Sequence, residues 1–293
     1  MKMKSYRSWL IMVLLSVSFS AAAEPTLWKI QTEKADVYLF GSIHVGKKEM
    51  YPFSKTINDA FNQSQHLVLE VDMLNPKILV AVASMYLNGT LPNKQTLEDL
   101  LTEDDMKKLQ LALKDFKIPY YSVKNLKPWL IGMNLQLLAF TSKDFKPELG
   151  VDIHFAQRAL RSKKKVLELE SASEQFAYFD GLTMKQQISF LIGSLEQASN
   201  GQEIVTKMVA LWQQGKQKEF SDLILGEMTG SEEDQFFYDI FLKNRNVKMA
   251  DKIADFVETG NSYFVVVGAA HYIGEDSIIE YLKKKGLEVK QVN

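Results

Sequence analysis

The chain has 293 residues, 46% of them hydrophobic and 24% charged, with a formal net charge of -1 and no cysteine. That length suffices for one large core or a core with a subdomain, and the near-neutral charge argues against a nucleic-acid footprint. The absence of cysteine excludes a disulfide framework, a lipid-modified cysteine anchor, thiolate metal ligands and a cysteine nucleophile, so any metal must be held by His, carboxylate or water.

Residues 1–23 begin with Lys2, Lys4 and Arg7, run through an apolar stretch from Trp9 to Val17, and end in Ala21-Ala22-Ala23 ahead of Glu24-Pro25. This is the layout of a secretory signal peptide and predicts cleavage after Ala23. The apolar stretch is short for a bilayer span, which takes about 20 residues. No later segment is apolar enough to span a membrane. Residues 24–293 are therefore expected as an exported chain, periplasmic or secreted, with no stable membrane span after cleavage.

Leu27-Trp28-Lys29-Ile30 and Ala35-Asp36-Val37-Tyr38-Leu39-Phe40 read as a hairpin whose second strand delivers Gly41-Ser42-Ile43-His44. Residues 52–64 place Phe53, Ile57, Ala60 and Phe61 at helical spacing and lead into Leu67-Val68-Leu69-Glu70-Val71-Asp72, a buried strand ending in acid. Strand, helix and strand in that order predict a parallel right-handed crossover. From 76 to 145 the pattern is mostly helical, with starts at Leu97 and Pro128. Gly150-Val151-Asp152 opens a helix that Asp152 is suited to cap, and the basic run 161–165 closes it before the strand Val166-Leu167-Glu168-Leu169-Glu170. Residues 173–260 read as helix broken near Gly215 and between Gly226 and Gly230. The chain then gives a strand at 263–267, a loop with His271, a helix at 276–285 capped by Gly286, and a last strand at 287–292. The expected fold class is α/β (α+β). A mixed central sheet takes strands from both chain ends, in one domain over 24–293, capped by helices at about 76–145 and 173–260.

The segments Leu39-Phe40-Gly41-Ser42-Ile43-His44 and Val266-Val267-Gly268-Ala269-Ala270-His271 share one form: an apolar strand that breaks at glycine and presents histidine three residues on. Ligands of open α/β sheets sit beyond the carboxyl ends of strands. His44, Glu70, Glu170 and His271 all fall at such ends. Two imidazoles with one or two carboxylates suit Zn, Mn, Fe or Co, and a spare carboxylate can activate a metal-bound water. Each residue has a structural alternative as a satisfied loop histidine or an ion-pair partner, and the shared placement favours function. His66 lies at the opposite end of its strand, and His154 has no ligand spacing. Arg245, in Lys243-Asn244-Arg245-Asn246, suits either a substrate clamp or an ion pair. No Gly-x-Ser-x-Gly elbow, His-Glu-x-x-His helix, phosphate loop or dinucleotide fingerprint is present.

These segments, together with Gly150-Val151-Asp152, Leu167-Glu168-Leu169-Glu170-Ser171, Glu174-Gln175 and Arg245-Asn246, resemble the TraB/PrgY/GumN family over nearly all of residues 24–293. The family includes the TIKI metalloproteases, and its wider fold relatives are similar to the erythromycin-esterase and ChaN-like group. The resemblance implies a metal-dependent hydrolase, a peptidase acting on a peptide or protein substrate. It makes His44, His271 and Glu170 metal ligands and Glu70, Glu170 and Arg245 catalytic groups, and leaves open which glutamate is ligand and which is base. Gly41, Asp152, Gln175, Asn246 and Gly268 become substrate-contacting or supporting residues. The implied cofactor is a divalent metal, Mn or Co ahead of Zn. The rival expectation is a non-catalytic binding or regulatory protein that sequesters a peptide signal or haem, with Tyr272 and the 12 methionines as haem-ligand candidates.

Overall fold

The computed structural model describes residues 24–32, 35–226, 228 and 230–293, so the expected signal peptide at 1–23 lies outside the described residues. Six strands form one mixed sheet: β1 (Leu27–Ile30), β2 (Val37–Ser42), β3 (His66–Leu69), β4 (Lys165–Glu168), β5 (Tyr263–Gly268) and β6 (Val289–Gln291), in the order β4-β3-β5-β2-β1-β6. The hairpin forms as expected, with β1 antiparallel to both β2 and β6. β2, β3 and β4 all run parallel to β5 or to one another. The strand, helix, strand unit is present, but its strands are not neighbours: β5, from the far end of the chain, lies between them. Residue for residue, Phe40 pairs Val266 and Ser42 pairs Gly268, while Leu69 pairs Val266 from the other side. This register ends three parallel strands on one rim.

Alternation along the strands builds two cores. On one face Phe40 and Phe264 meet Phe53, Phe155 and Trp212 from α1 (Lys55–Gln63) with the loop before it, α5 (Val151–Ser162) and α7 (Met184–Gln213). On the other, Leu39, Val265 and Val267 meet Met249 and Ile253 of α10 (Asn244–Glu258) and Ile278 and Leu282 of α11 (Ile278–Lys284). Helices on both faces explain why β2 and β5 are buried at every position.

The helical segments assemble a third core, where α3 (Glu103–Asp115), α4 (Pro128–Phe140) and the first half of α7 bring together Leu109, Leu113, Ile131, Leu135, Leu191 and Leu195. Pro128 supplies a preset φ at the first turn of α4. Gly201 of α7 lies so close to α4 that a Cβ there would stand 2.6 Å from the Ala139 Cβ. The second half of α7 carries Val205, Val209 and Trp212 onto the sheet, where the buried Trp212 indole donates to the Gly41 carbonyl at 2.9 Å. One 30-residue helix thus ties the cap to the end of β2. The remaining cap helices are α2 (Lys77–Asn88), α6 (Ala172–Asp180), α8 (Gln217–Gly226) and α9 (Glu232–Tyr238).

Trp212→Phe leaves the buried Gly41 carbonyl without a donor and is expected to destabilise the chain by about 1–3 kcal/mol, read as a lower urea midpoint at unchanged slope. His154 is stacked on Tyr51 with ring centroids 4.2 Å apart. Burial, joined by Arg158 and Arg161, pushes its pKa from 6.5 down to about 4. The unfolded chain therefore binds more protons between those values, so stability falls as pH drops from 6.5 towards 4. In His154→Phe, urea midpoints across that window should fall less steeply.

Candidate functional site

The rim gathers residues from β2, β3 and β5. Past the end of β3 the ladder continues, with Glu70 N–H donating to the Val266 carbonyl at 3.1 Å and Glu170 N–H to the Glu70 carbonyl at 2.9 Å. The two glutamates therefore stand side by side. β5 ends at Gly268, and a short 3-10 turn (Ala269–Tyr272) swings His271 back over the rim. Gly268 N–H donates to Glu70 Oε2 at 3.0 Å. A Cβ at Gly268 would lie 3.3 Å from Glu70 Oε2, 3.4 Å from His271 Cδ2 and 3.7 Å from His44 Nε2. Glycine at this position leaves open the space that the three side chains surround.

Both histidines are held by Nδ1. His44 Nδ1 is 3.0 Å from Asp152 Oδ2, and His271 Nδ1 is 2.5 Å from Asn246 Oδ1. Asn246 Nδ2 donates to the Asp276 carbonyl at 2.7 Å, which fixes its amide and turns the oxygen to the ring. His271 Nδ1 must then be the donor, and the neutral ring keeps its lone pair on Nε2, 3.8 Å from Glu70 Oε1. Asp152 likewise accepts from the Nδ1–H of His44. Asp152 does not cap its helix, whose N-cap is Gly150 with no side-chain cap; one oxygen of its carboxylate holds His44 instead.

Burial pushes the pKa of His271 down to about 4, so this ring is uncharged at neutral pH. Enclosure works against charge on His44 too, yet the carboxylates of Asp152 and Glu70 overcome it and raise its pKa to about 9. Its side chain is 62% exposed, and water there screens that attraction. Burial also opposes charge on Glu70, and the histidines, Arg245 and the Gly268 N–H outweigh it, holding the carboxyl below the usual range.

Arg245 binds both glutamates. Its Nη2 reaches Glu70 Oε1 at 2.5 Å and Glu170 Oε2 at 2.7 Å, Nε lies 3.0 Å from Glu170 Oε2, and Nη1 donates to the Phe241 carbonyl at 3.0 Å. Of the two roles the sequence left open for Arg245, the ion pair is the one built here, and its donors are spent inside the protein. Glu170 is likewise engaged by Arg245 and by Gln175 Nε2, at 3.3 Å, whereas Gln175 reaches Glu70 Oε1 at 2.7 Å. The carboxylate that faces the two imidazoles is Glu70, and Glu170 stands behind it.

Among the described residues, no three His, Asp or Glu side chains close on a common point as a finished metal cage. The donors are nonetheless of the types divalent ions take: two imidazoles oriented from behind by Asp152 and Asn246, and one carboxylate, about the space at Gly268. His66 and His154 lie elsewhere, on Tyr263 and Tyr51. Tyr272 packs on Trp28 at 5.3 Å rather than facing the cavity.

Over this rim opens a cavity of about 680 Å³, floored by His44, Glu70, Gln175 and Arg245 and walled by cap residues that include Phe179, Phe190, Phe237 and Phe241. Phe179 and Phe241 stack at 4.5 Å. Tyr178, whose hydroxyl is 3.4 Å from Glu170 Oε1, also lines it. Sequence reasoning missed Tyr178 and the phenylalanine wall because aromatics at helical spacing look the same whether they face a core or a cavity.

Arg245→Met strands two buried carboxylates and is expected to destabilise the chain by roughly 3–5 kcal/mol in urea unfolding. Tyr178→Phe should cost under about 1 kcal/mol by the same measurement.

The sequence profile of the TraB/PrgY/gumN family matches residues 26–291. The chain is 25% identical to "Uncharacterized protein YbaP" of Escherichia coli (strain K12), over 84% of this chain and 87% of that protein. It is 25% identical to "Metalloprotease TIKI1" of Xenopus tropicalis, over 90% of this chain and 60% of that protein. With "Metalloprotease TIKI homolog" of Nematostella vectensis it shares 25% identity, over 91% of this chain and 66% of that one. The chain thus spans less than two thirds of these metalloproteases' length. No solved structure matches it. A profile that runs from β1 to β6 and takes in both Gly-x-x-His segments means that this chain belongs to the TraB/PrgY/gumN family.

Proposed function

We propose that the chain is an exported metal-dependent hydrolase acting on peptides, with His44 Nε2, His271 Nε2 and Glu70 as the groups that hold a divalent ion. The observation that carries this reading is the pinning of both Nδ1 atoms, by Asp152 and Asn246, which turns both Nε2 atoms to the space around Gly268, that of His271 with its lone pair free and that of His44 able to bind an ion in exchange for its proton. The family relatives named metalloproteases support it. A bound ion would supply a polarised, acidified water at neutral pH. Mn or Co is favoured over Zn by family resemblance, and the ligand types suit all three.

The chain's own residues then divide the work. Gln175, Arg245 and the Gly268 N–H fix the Glu70 carboxylate and keep it ionised. Glu170 holds Arg245 in place from a position that does not line the cavity, which makes it a positioning residue rather than the ligand the resemblance implied. The aromatic wall excludes water from one side of the rim and suits an apolar side chain of a substrate peptide. The helical segments act as a cap within a single domain, and residues 1–23 as a leader removed after Ala23. The haem-binding alternative loses Tyr272, the tyrosine put forward for it, since that ring is buried against Trp28.

Hydrolysis of a peptide library by the purified protein supplied with Mn, Co or Zn tests the reading. A chelator, His44→Ala and His271→Ala should each abolish turnover, and activity that survives either substitution overturns it. Asn246→Ala should weaken metal binding by about 10–100-fold in calorimetric titration, because the His271 ring loses its orienting acceptor. Mass spectrometry of the protein from an exporting host should find Glu24 as the first residue.

A further inference from the structure

Helix α2 packs inward through Ala81 and Met85, against Phe176 of α6 and Trp129 and Leu130 of α4. Its outward face is also apolar: Leu79 is 74%, Val80 72% and Leu87 78% exposed, with Tyr86 at 45%. With the exposed Ala83, positions 79, 80, 83, 86 and 87 make one continuous stripe at helical spacing. Met73 and Leu74, in the turn between Glu70 and the helix, are exposed as well. A surface helix ordinarily turns polar residues outward, and a contiguous apolar patch of this kind marks a contact surface.

Charge identifies the occupant. Between Asp72 and Glu98 the chain carries no acid and two lysines, Lys77 and Lys94, both exposed and neither ion-paired among the described residues. A second copy docked through this face would set one segment with two lysines and no acid against another of the same kind. Anionic headgroups neutralise both lysines at once. The 12-residue helix is about 18 Å long, too short to cross a bilayer and suited to lying along one. No helix among the described residues is long and apolar enough to cross a membrane.

We propose that α2 and the turn before it dock on an anionic lipid bilayer, with Leu79, Val80 and Leu87 in the boundary between headgroups and acyl chains and Lys77 and Lys94 on lipid phosphates. The helix behind this surface, α6, carries Gln175 and Tyr178, so the docked face adjoins the cavity. The surface stands on its own exposure and charge and does not depend on the hydrolase reading.

Flotation of the full chain with vesicles of phosphatidylglycerol and phosphatidylcholine, against vesicles of phosphatidylcholine alone, tests it. The protein should float with the anionic vesicles, and Leu79→Glu and Leu87→Glu should each lower the partition constant by about tenfold or more. Lys77→Glu with Lys94→Glu should weaken binding to anionic vesicles only, and raised salt should mimic that loss. Circular dichroism and urea midpoints of these exposed-site variants should match the parent. Equal flotation of parent and α2 variants overturns the proposal, whatever residues 1–23 contribute. So does a concentration-dependent dimer in sedimentation that Leu87→Glu dissolves while vesicles recover no protein, the result that assigns the face to a second copy.

Discussion

Two ionised carboxylates cannot share a buried rim without a cation between them. The pairing of β3 with β4 forces Glu70 and Glu170 into adjacent positions, with backbone bonded to backbone. In a medium of low dielectric, one of the pair would take up a proton or the strand ends would part. Arg245 removes the conflict, since a single guanidinium nitrogen contacts both carboxylates and its Nε reaches Glu170 again. The rest of the rim depends on that resolution. With Glu70 anionic and immobile, the Gly268 N–H has its acceptor and Gln175 has a partner that draws α6 onto the sheet, while the Arg245 cation adds to the burial that keeps His271 neutral.

That geometry explains how far the sequence could be read. Apolar runs ending in Gly-x-x-His made β2 and β5 legible, and the acid at the end of Leu67-Val68-Leu69-Glu70 located β3, because buried parallel strands are written as continuous apolar sequence. The rim followed from placing each polar residue at a strand end. The division of labour between the glutamates did not follow, since it is set by which carboxylate Arg245 and the β5 N–H engage, and those partners lie 175 and 198 residues from Glu70. The insertion of β5 between β2 and β3 was hidden for the same reason: a strand's neighbours are chosen by contacts that span the whole chain.

The cap was legible as helix and illegible as a wall. Phe179, Phe190, Phe237 and Phe241 keep the spacing of core residues and pack on one another as core rings do, yet they line a cavity. α7 connects the two regimes. Its first half is held by the cap core and its last turn by the Trp212 bond to the Gly41 carbonyl, so cap and sheet share one rigid strut that ends beside a Gly-x-x-His glycine.

The position of β5 has a temporal meaning as well. β2 and β3 are made within the first 69 residues, yet neither finds its central neighbour until residues 263–268 exist. A growing chain can form the hairpin and separate helices early, but it cannot close the sheet, and loop-closure entropy over some 200 residues makes that closure late and slow. The same strand brings His271. Assembly of the two cores on the sheet and completion of the proposed site are therefore one event, and a nascent chain carries neither until its final tenth is being made.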